Sequence, residues 1–404
     1  MVSAEPWRRA AAGAGLLGTD GSLTTTIFAE MTALAATTGA LNLGQGFPDE
    51  DGPAEVLEAA RQAITEGVNQ YPPARGLPVL CEAIATHQRR FYGMHVDPDT
   101  EVLVTVGATE ALTATLLAFV EPGDEVVVLE PYYDSYAAIT ALAGGQLRAV
   151  PLRFPEFQPD PDDLRHAITD RTRIILVNTP HNPTGTVLGR ETLELVVELA
   201  HRHDALIVTD EVYEHLTFDT PHLSPVQLPG GFERTVCISS AGKTFSLTGW
   251  KIGWLTAPAR LVSRILAVKQ YLTFAGGAPF QPAIAVGLGL PDDWFASIAT
   301  DLRARRDVLA AGLRAAGFEV ALPQAGYFIV ADAAPVGATD GARFCRELPT
   351  RAGVVAIPLS AFATPERTDL KTLVRFAHCK SDGVLRDAAA RLSAASTATM
   401  PGGA

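Results

Sequence analysis

The sequence predicts an α/β protein: a mainly parallel central sheet with helices on both faces, followed by a smaller α+β domain. Three observations predict it. Apolar, β-branched runs at 101–106, 125–129, 173–178, 205–209, 234–239 and 252–257 alternate with segments of helical period at 108–120, 135–143, 190–203 and 260–274. Most of those runs are continuously apolar, as strands covered on both faces are, and the alternation itself is the pattern of a parallel sheet. From about residue 291 the character changes. An arginine-rich helical stretch, 292–316, leads into short strand-like pieces at 318–320, 326–331, 354–357 and 373–378 around a helix near 341–348. The segment 42–48 is expected to cross the cleft between the two parts. In such folds the ligand sits beyond the carboxyl ends of the strands.

At 404 residues the chain can bury a large core and form more than one domain. A formal charge of −13 offers no basic face for nucleic acid. The four cysteines (Cys81, Cys237, Cys345, Cys379) lie far apart with no Cys-x-x-Cys pair, which fits neither a disulfide framework nor a zinc site. No run reaches the roughly 18 apolar residues of a membrane span. The apolar stretch behind Arg8 and Arg9 is too short and too glycine-rich for a signal peptide. The expected setting is therefore the cytoplasm, without nucleic-acid, membrane or metal partners. Gly13-Ala-Gly-Leu-Leu-Gly18 spells a dinucleotide fingerprint but follows no strand. His201 and His203 have no further ligands clustered in sequence, and the arginines at 303–306 read as a charged helix face.

Only five lysines occur (Lys243, Lys251, Lys269, Lys371, Lys380), while arginine is used freely. Two of them lie in one glycine- and hydroxyl-rich stretch, Ser239-Ser-Ala-Gly-Lys-Thr-Phe-Ser-Leu-Thr-Gly-Trp-Lys-Ile-Gly-Trp254. Arginine stays protonated and forms no Schiff base, so a lysine retained there points to amine chemistry with a carbonyl; the plainer reading is a solvated surface lysine. The ends of the strand-like runs carry the rest. After 101–106 comes Gly107-Ala-Thr-Glu-Ala-Leu112, whose helix-opening N–H groups suit a phosphate, although a simple turn has the same letters. After 173–178 comes Asn178-Thr-Pro-His-Asn-Pro-Thr-Gly185, where the Asn182 amide can donate into the cleft. After 205–209 comes Asp210-Glu-Val-Tyr213, whose carboxylate at the end of a buried strand needs a cation or a strong donor. Ser240 ends the next run and leads to Lys243. Glu130-Pro-Tyr-Tyr-Asp-Ser-Tyr136 offers Tyr133 as a flat aromatic cover. One cofactor asks for all of these together: pyridoxal 5′-phosphate needs a lysine for its aldehyde, an anion site, a carboxylate at the pyridine nitrogen, donors to the ring hydroxyl and a ring to stack on.

These motifs, with Asn42-Leu-Gly-Gln-Gly-Phe-Pro-Asp49, Gly249-Trp-Lys-Ile-Gly-Trp254 and Val374-Arg-Phe376, occur in an order that resembles the fold-type I pyridoxal-phosphate aminotransferases of class I, in the group of the kynurenine, glutamine and methionine aminotransferases. The stretches 42–53, 104–111, 130–136, 209–216, 276–282 and 356–362 are similar to bacterial N-succinyldiaminopimelate aminotransferases. The resemblance runs from about 42 to about 380. It implies Lys243 as the imine-forming lysine and base, Asp210 at the pyridine nitrogen, Asn182 and Tyr213 at the ring hydroxyl, and Tyr133 stacked on the ring. It implies Gly107, Ala108, Thr109, Ser240 and Lys251 around the phosphate, with Tyr71 reaching it from a second subunit in a homodimer. Arg375, with Asn178 and the backbone at Gly44, is implied as the clamp on the substrate α-carboxylate. The matching organisation is a flexible N-terminus 1–22, a small-domain segment 23–54, a large cofactor domain 55–290, a C-terminal small domain 291–393 and a flexible tail 394–404. The implied reaction moves an amino group from an L-amino acid, expected to be glutamate, to a 2-oxo acid or to N-succinyl-2-amino-6-oxopimelate in lysine biosynthesis. Broad-range methionine, glutamine or kynurenine transamination and cysteine-conjugate β-elimination stand as alternatives. No second arginine for a distal carboxylate is identifiable.

Overall fold

The structure, a computed structural model, describes residues 5–398. Its strands in chain order are β1 (Leu41–Asn42), β2 (Val102–Val106), β3 (Glu125–Glu130), β4 (Gln146–Pro151), β5 (Thr172–Asn178), β6 (Leu206–Asp210) and β7 (Thr235–Ser240). They continue with β8 (Ile252–Thr256), β9 (Glu319–Ala321), β10 (Phe328–Asp332), β11 (Val354–Val355), β12 (Ile357–Pro358) and β13 (Leu373–Ala377). The larger sheet has seven strands in the order β2-β8-β7-β6-β5-β3-β4. All its pairings are parallel except those of β8, which runs antiparallel to both β2 and β7. Its central strands are apolar on both faces because both faces are covered. Ile174 and Leu176 of β5 enter one hydrophobic cluster while Ile175 and Val177 enter another, and β3 divides its valines in the same way. This is the physical origin of the uninterrupted apolar runs in the sequence.

A second, antiparallel sheet has the order β12-β13-β10-β9, and β1 pairs with β11. The expected strand at 354–357 is thus two strands in two different sheets, separated at Ala356. Edge strand β4 escaped the sequence reading because Gln146 and Arg148 alternate with partly buried residues, and polar alternation at an edge looks like loop sequence. The helix expected over 260–274 spans Ala259–Lys269; beyond it Phe274 takes a left-handed backbone, φ 60°, and the chain turns back. Within the stretch expected to be flexible at the N-terminus, Pro6–Gly13 is a helix. It packs so tightly on the helix Ser135–Ala143 that a Cβ at Gly13 would stand 2.6 Å from the Ala137 carbonyl oxygen. Of the expected tail, 394–398 continue the helix Asp382–Ala398, and residues 1–4 and 399–404 lie outside the described residues. No helix among the described residues is long and apolar enough to cross a membrane.

The segment 42–48 does join the two sheets. The Leu43 carbonyl accepts from Ala377 N at the end of β13 (2.6 Å), Gly44 O accepts from Arg375 and Gly46 O from Lys243. On the opposite side, β8 comes so close to the start of the helix Gly107–Phe119 that a Cβ at Gly253 would lie 2.5 Å from Gly107 C and 2.7 Å from Ala108 N. Gly253→Ala is therefore expected to lower the thermal midpoint by a few degrees, the result of an overpacking cost of about 1–3 kcal/mol. Calorimetry checks it, and an unchanged midpoint would show that the turn yields without cost.

Candidate active site

A cavity of about 410 Å³ opens where β5, β6 and β7 end, at Asn178, Asp210 and Ser240. Parallel strands deliver these side chains to one edge; the segments that follow β5 and β6 bring Asn182 and Tyr213 to the same space, and the short helix Ala241–Thr244 after β7 brings Lys243. The turn after β2 adds Gly107, Ala108 and Thr109, the turn after β3 adds Tyr133, and β13 adds Arg375 from the smaller sheet. Lys251 completes the lining. Of the residues the sequence singled out, only Gly44 and Tyr71 stand outside. Gly44 meets the site through its carbonyl, which accepts from Arg375 Nη2 at 3.0 Å. Tyr71 is 84% exposed, edge-on to Phe274 with ring centroids 5.8 Å apart, and does not line the cavity.

The electrostatics are those of buried groups kept short of partners. Asp210 Oδ2 accepts from the Tyr136 hydroxyl at 2.7 Å, while Oδ1, also buried, has no partner. Burial pushes its carboxyl above the usual carboxylate range, opposed by the Tyr136 hydrogen bond. Lys243 Nζ donates to the Gly46 carbonyl at 3.0 Å and lies over the Tyr213 and Tyr327 rings, 5.8 and 5.5 Å from their centroids. Burial pulls its ammonium below the ordinary lysine value. The Tyr327 hydroxyl donates to the Lys243 carbonyl (2.6 Å), fixing the backbone that carries the amine. Burial also pushes the Tyr133 phenol up to about 12.

Arg375 is packed between rings, its guanidinium carbon 3.7 Å from the Phe328 centroid and 4.4 Å from that of Phe362. Nη1 donates to Asn182 Oδ1 at 3.0 Å, and the buried Nε has no partner. No carboxylate among the described residues forms an ion pair with it, and burial pulls its pKa below the arginine range. A guanidinium remains charged at neutral pH all the same, so the site is built to receive an anion. The Asn182 backbone N–H is bound to Asn178 Oδ1 (2.7 Å), and Asn178 Nδ2 donates to the Asp210 carbonyl (2.8 Å). With its oxygen turned to Arg375, Asn182 keeps its amide N–H groups to donate.

These residues fit pyridoxal phosphate. The bare Oδ1 of Asp210 asks for a donor such as a protonated ring nitrogen. At the other end of the cavity Gly107 opens the helix Gly107–Phe119 with φ +71°, and a Cβ there would meet Lys251 Nζ at 3.1 Å. An ammonium over the N-terminal turn of a 13-residue helix is a phosphate-binding arrangement. Lys251 takes a left-handed backbone, φ 55°, to bring it there.

Sequence reasoning missed Tyr136, although it sits three residues after Tyr133 in the same motif and, on the first turn of Ser135–Ala143, faces the strand ends. It also missed Phe28, Gln45, Phe47, Asp134 and Phe328 in the wall; ordinary aromatic and polar residues carry no signal until the fold gathers them. One further cluster, His87, Glu214 and His215, lies outside the cavity. Its two Nε2 atoms are 2.6 Å apart, a hydrogen-bond distance, closer than the ~3.3 Å that two nitrogens on one tetrahedral ion would keep.

The family model for aminotransferase class I and II matches residues 38–392. A probable N-succinyldiaminopimelate aminotransferase of Mycobacterium tuberculosis is 52% identical over 380 residues, covering 91% of this chain and 96% of that protein. The methionine aminotransferase of Escherichia coli is 39% identical over 374 residues, covering 92% and 96%. The solved structure of N-succinyldiaminopimelate aminotransferase from Mycobacterium tuberculosis superposes with a TM-score of 0.90 at 52% identity, over 92% of this chain and 97% of that one. A match of this length, to sequence and to structure alike, makes this chain a member of the class I and II aminotransferases, enzymes that use pyridoxal phosphate.

Proposed function

We propose that this aminotransferase moves an amino group between glutamate and N-succinyl-2-amino-6-oxopimelate, as a cytoplasmic homodimer in lysine biosynthesis. The observation that carries the reading of the site is the buried guanidinium of Arg375, with no carboxylate partner among the described residues, in the same cavity as the Lys243 amine. The substrate rests on the 52% identity to the Mycobacterium tuberculosis relative. Bound pyridoxal phosphate supplies an aldehyde that takes up the amino group and a ring that accepts the electron pair left when the Cα proton departs.

The chain's own groups do the rest. Arg375 holds the substrate α-carboxylate and so fixes which Cα bond stands toward Lys243. Lys243 takes the Cα proton; its lowered pKa leaves more free amine at neutral pH than an exposed lysine would have. Asp210, oriented by Tyr136, would stand opposite the ring nitrogen, and Asn182 and Tyr213 would donate to the ring hydroxyl. Tyr133 would cover the ring, and Gly107, Ala108, Thr109, Ser240 and Lys251 would hold the phosphate. Tyr71, exposed on its own protomer, fits the role of reaching the phosphate of a second copy. Among the described residues the lining cations are Lys243, Lys251 and Arg375, so a distal substrate carboxylate would find a further cation on that second copy. The aromatic wall of Phe28, Phe47 and Phe328 favours a second reading, a broad-range methionine or aromatic aminotransferase.

Single-turnover absorbance of the cofactor separates the two. Glutamate and N-succinyldiaminopimelate are expected to convert it rapidly to its amine form, with methionine, glutamine and kynurenine slow. Fastest conversion by methionine or kynurenine would install the broad-range reading, and pyruvate and ammonia released from a cysteine conjugate without an oxo acid would indicate a lyase. Lys243→Ala should lower turnover by at least about 10²–10⁴-fold, the usual worth of a positioned base, while the protein still retains cofactor on gel filtration. Arg375→Lys, which cannot offer a planar fork, should raise KM for the amino acid about 30-fold or more with a smaller change in kcat.

A further inference from the structure

Lys269 has no part in the cavity, yet it is among the most completely buried large side chains, 2% exposed. It ends the helix Ala259–Lys269. Its ammonium donates to two backbone carbonyls that converge from different loops, Ala74 O at 2.8 Å and Phe274 O at 2.6 Å. The first belongs to the loop that carries Tyr71; the second is the carbonyl of the residue on which the Tyr71 ring rests edge-on. Phe274 reaches this position through its left-handed backbone, φ 60°. Thr273, next to it, donates to Glu110 Oε1, while Glu110 Oε2 accepts from Val106 N at 2.6 Å. The same small cluster therefore anchors the two loops to the helix turn next to Thr109 and supplies a carboxylate near the buried charge. A second tie, Leu77 N to Gln281 Oε1 and Gln281 Nε2 to Gly276 O, both 2.7 Å, closes the far ends of the loops.

A buried ammonium is costly unless hydrogen-bonded, and hydrophobic packing alone would serve a purely structural position. What this one adds is a fixed relation between two loops whose tips, Tyr71 and Phe274, face solvent at 84% and 45% exposure. We propose that Lys269 is a positioning residue that locks the 71–76 and 270–276 loops together, so that Tyr71 is presented in one direction to the active site of a second copy of the chain. The proposal rests on the reading that Tyr71 serves the second copy's cofactor phosphate, and two measurements keep the two ideas apart.

The first is amide hydrogen exchange of the holoenzyme dimer across 70–77 in Lys269→Met, which keeps the length and apolar stem and removes the donors. Exchange there at least about tenfold faster, with the central strands unchanged, is expected from losing hydrogen bonds to a charged donor; unchanged exchange overturns the proposal. The second is the dissociation constant of pyridoxal phosphate, by equilibrium dialysis, for Lys269→Met, Tyr71→Phe and the double variant, with sedimentation confirming the dimer in each. Both single variants should bind about tenfold more weakly, and the double variant no more weakly than Tyr71→Phe alone, because groups acting through one another are non-additive. Losses that multiply, or a Lys269→Met dimer that binds cofactor as the parent does, overturn the presentation of Tyr71. If Tyr71→Phe alone changes nothing while the loops exchange faster, the role of Tyr71 falls and the lock between the loops stands.

Discussion

Two backbone carbonyls, those of Gly44 and Gly46, hold the two cations on which the cavity turns, Arg375 from the smaller sheet and Lys243 from the larger. Everything else about the site follows from the closeness this requires. Gly46 lies so near Phe328 that a Cβ would stand 2.2 Å from the ring, and Phe328 is the ring on which the Arg375 guanidinium stacks at 3.7 Å. A side chain at 46 would push Phe328 off the arginine or the strip off Lys243. Glycine here gives a close approach rather than a turn, and it couples the spacing of the two sheets to the spacing of the two charges.

The charges themselves are set against stability. Asp210, Lys243 and Arg375 form no ion pair among the described residues, and burial moves each pKa toward the neutral form. Buried, unpaired ionisable groups cost several kcal/mol each, and such groups cluster where a ligand is to provide the missing partner. The fold offsets the cost with polar contacts that leave at least one valence free on each group: Tyr136 to one oxygen of Asp210, a carbonyl to Lys243, Asn182 and Gly44 to Arg375. The bare oxygen of Asp210 and the bare Nε of Arg375 then mark what the cavity receives, a donor at one point and an anion at the other.

The fold and most of the site were legible because parallel sheets write themselves plainly. Continuous apolar runs mark strands buried on both faces, and the residues just after them, such as Asn178, Asp210 and Ser240, must meet at one edge of the sheet. What was not legible depends on contacts between distant segments. β4 is polar because it is an edge, and 354–357 divides because β11 and β12 have different partners. Tyr136 was passed over for Tyr133 because the motif shows three tyrosines and only the helix geometry shows which one points at Asp210. Of the cavity wall, Phe28 comes from a helix outside every motif, and Gln45 and Phe47, although inside the motif 42–49, show no role until the fold places them beside the cavity.

Lysine usage shows how a sequence signal can be right for more than one reason. Rarity of lysine points to Lys243 as an amine kept for imine chemistry, yet Lys269 and Lys380 are more deeply buried and have no place in the cavity. Lys380 Nζ donates to the Phe47 carbonyl at 2.8 Å and to Asp49 Oδ1 at 3.0 Å, again tying down the strip that crosses the cleft. In both, a compact ammonium with three rotatable donors reaches two oxygens at once, from two loops at Lys269 and from a single strip at Lys380, a geometry a flat guanidinium matches poorly. Lys243 makes the same kind of contact, to Gly46 O. What separates it is the space on its other side, shared with Asp210 and Arg375, where an incoming carbonyl can reach the nitrogen. Among Lys243, Lys269 and Lys380, each a small, directional cation bound to a backbone carbonyl, only the cavity distinguishes the one whose nitrogen is positioned to react.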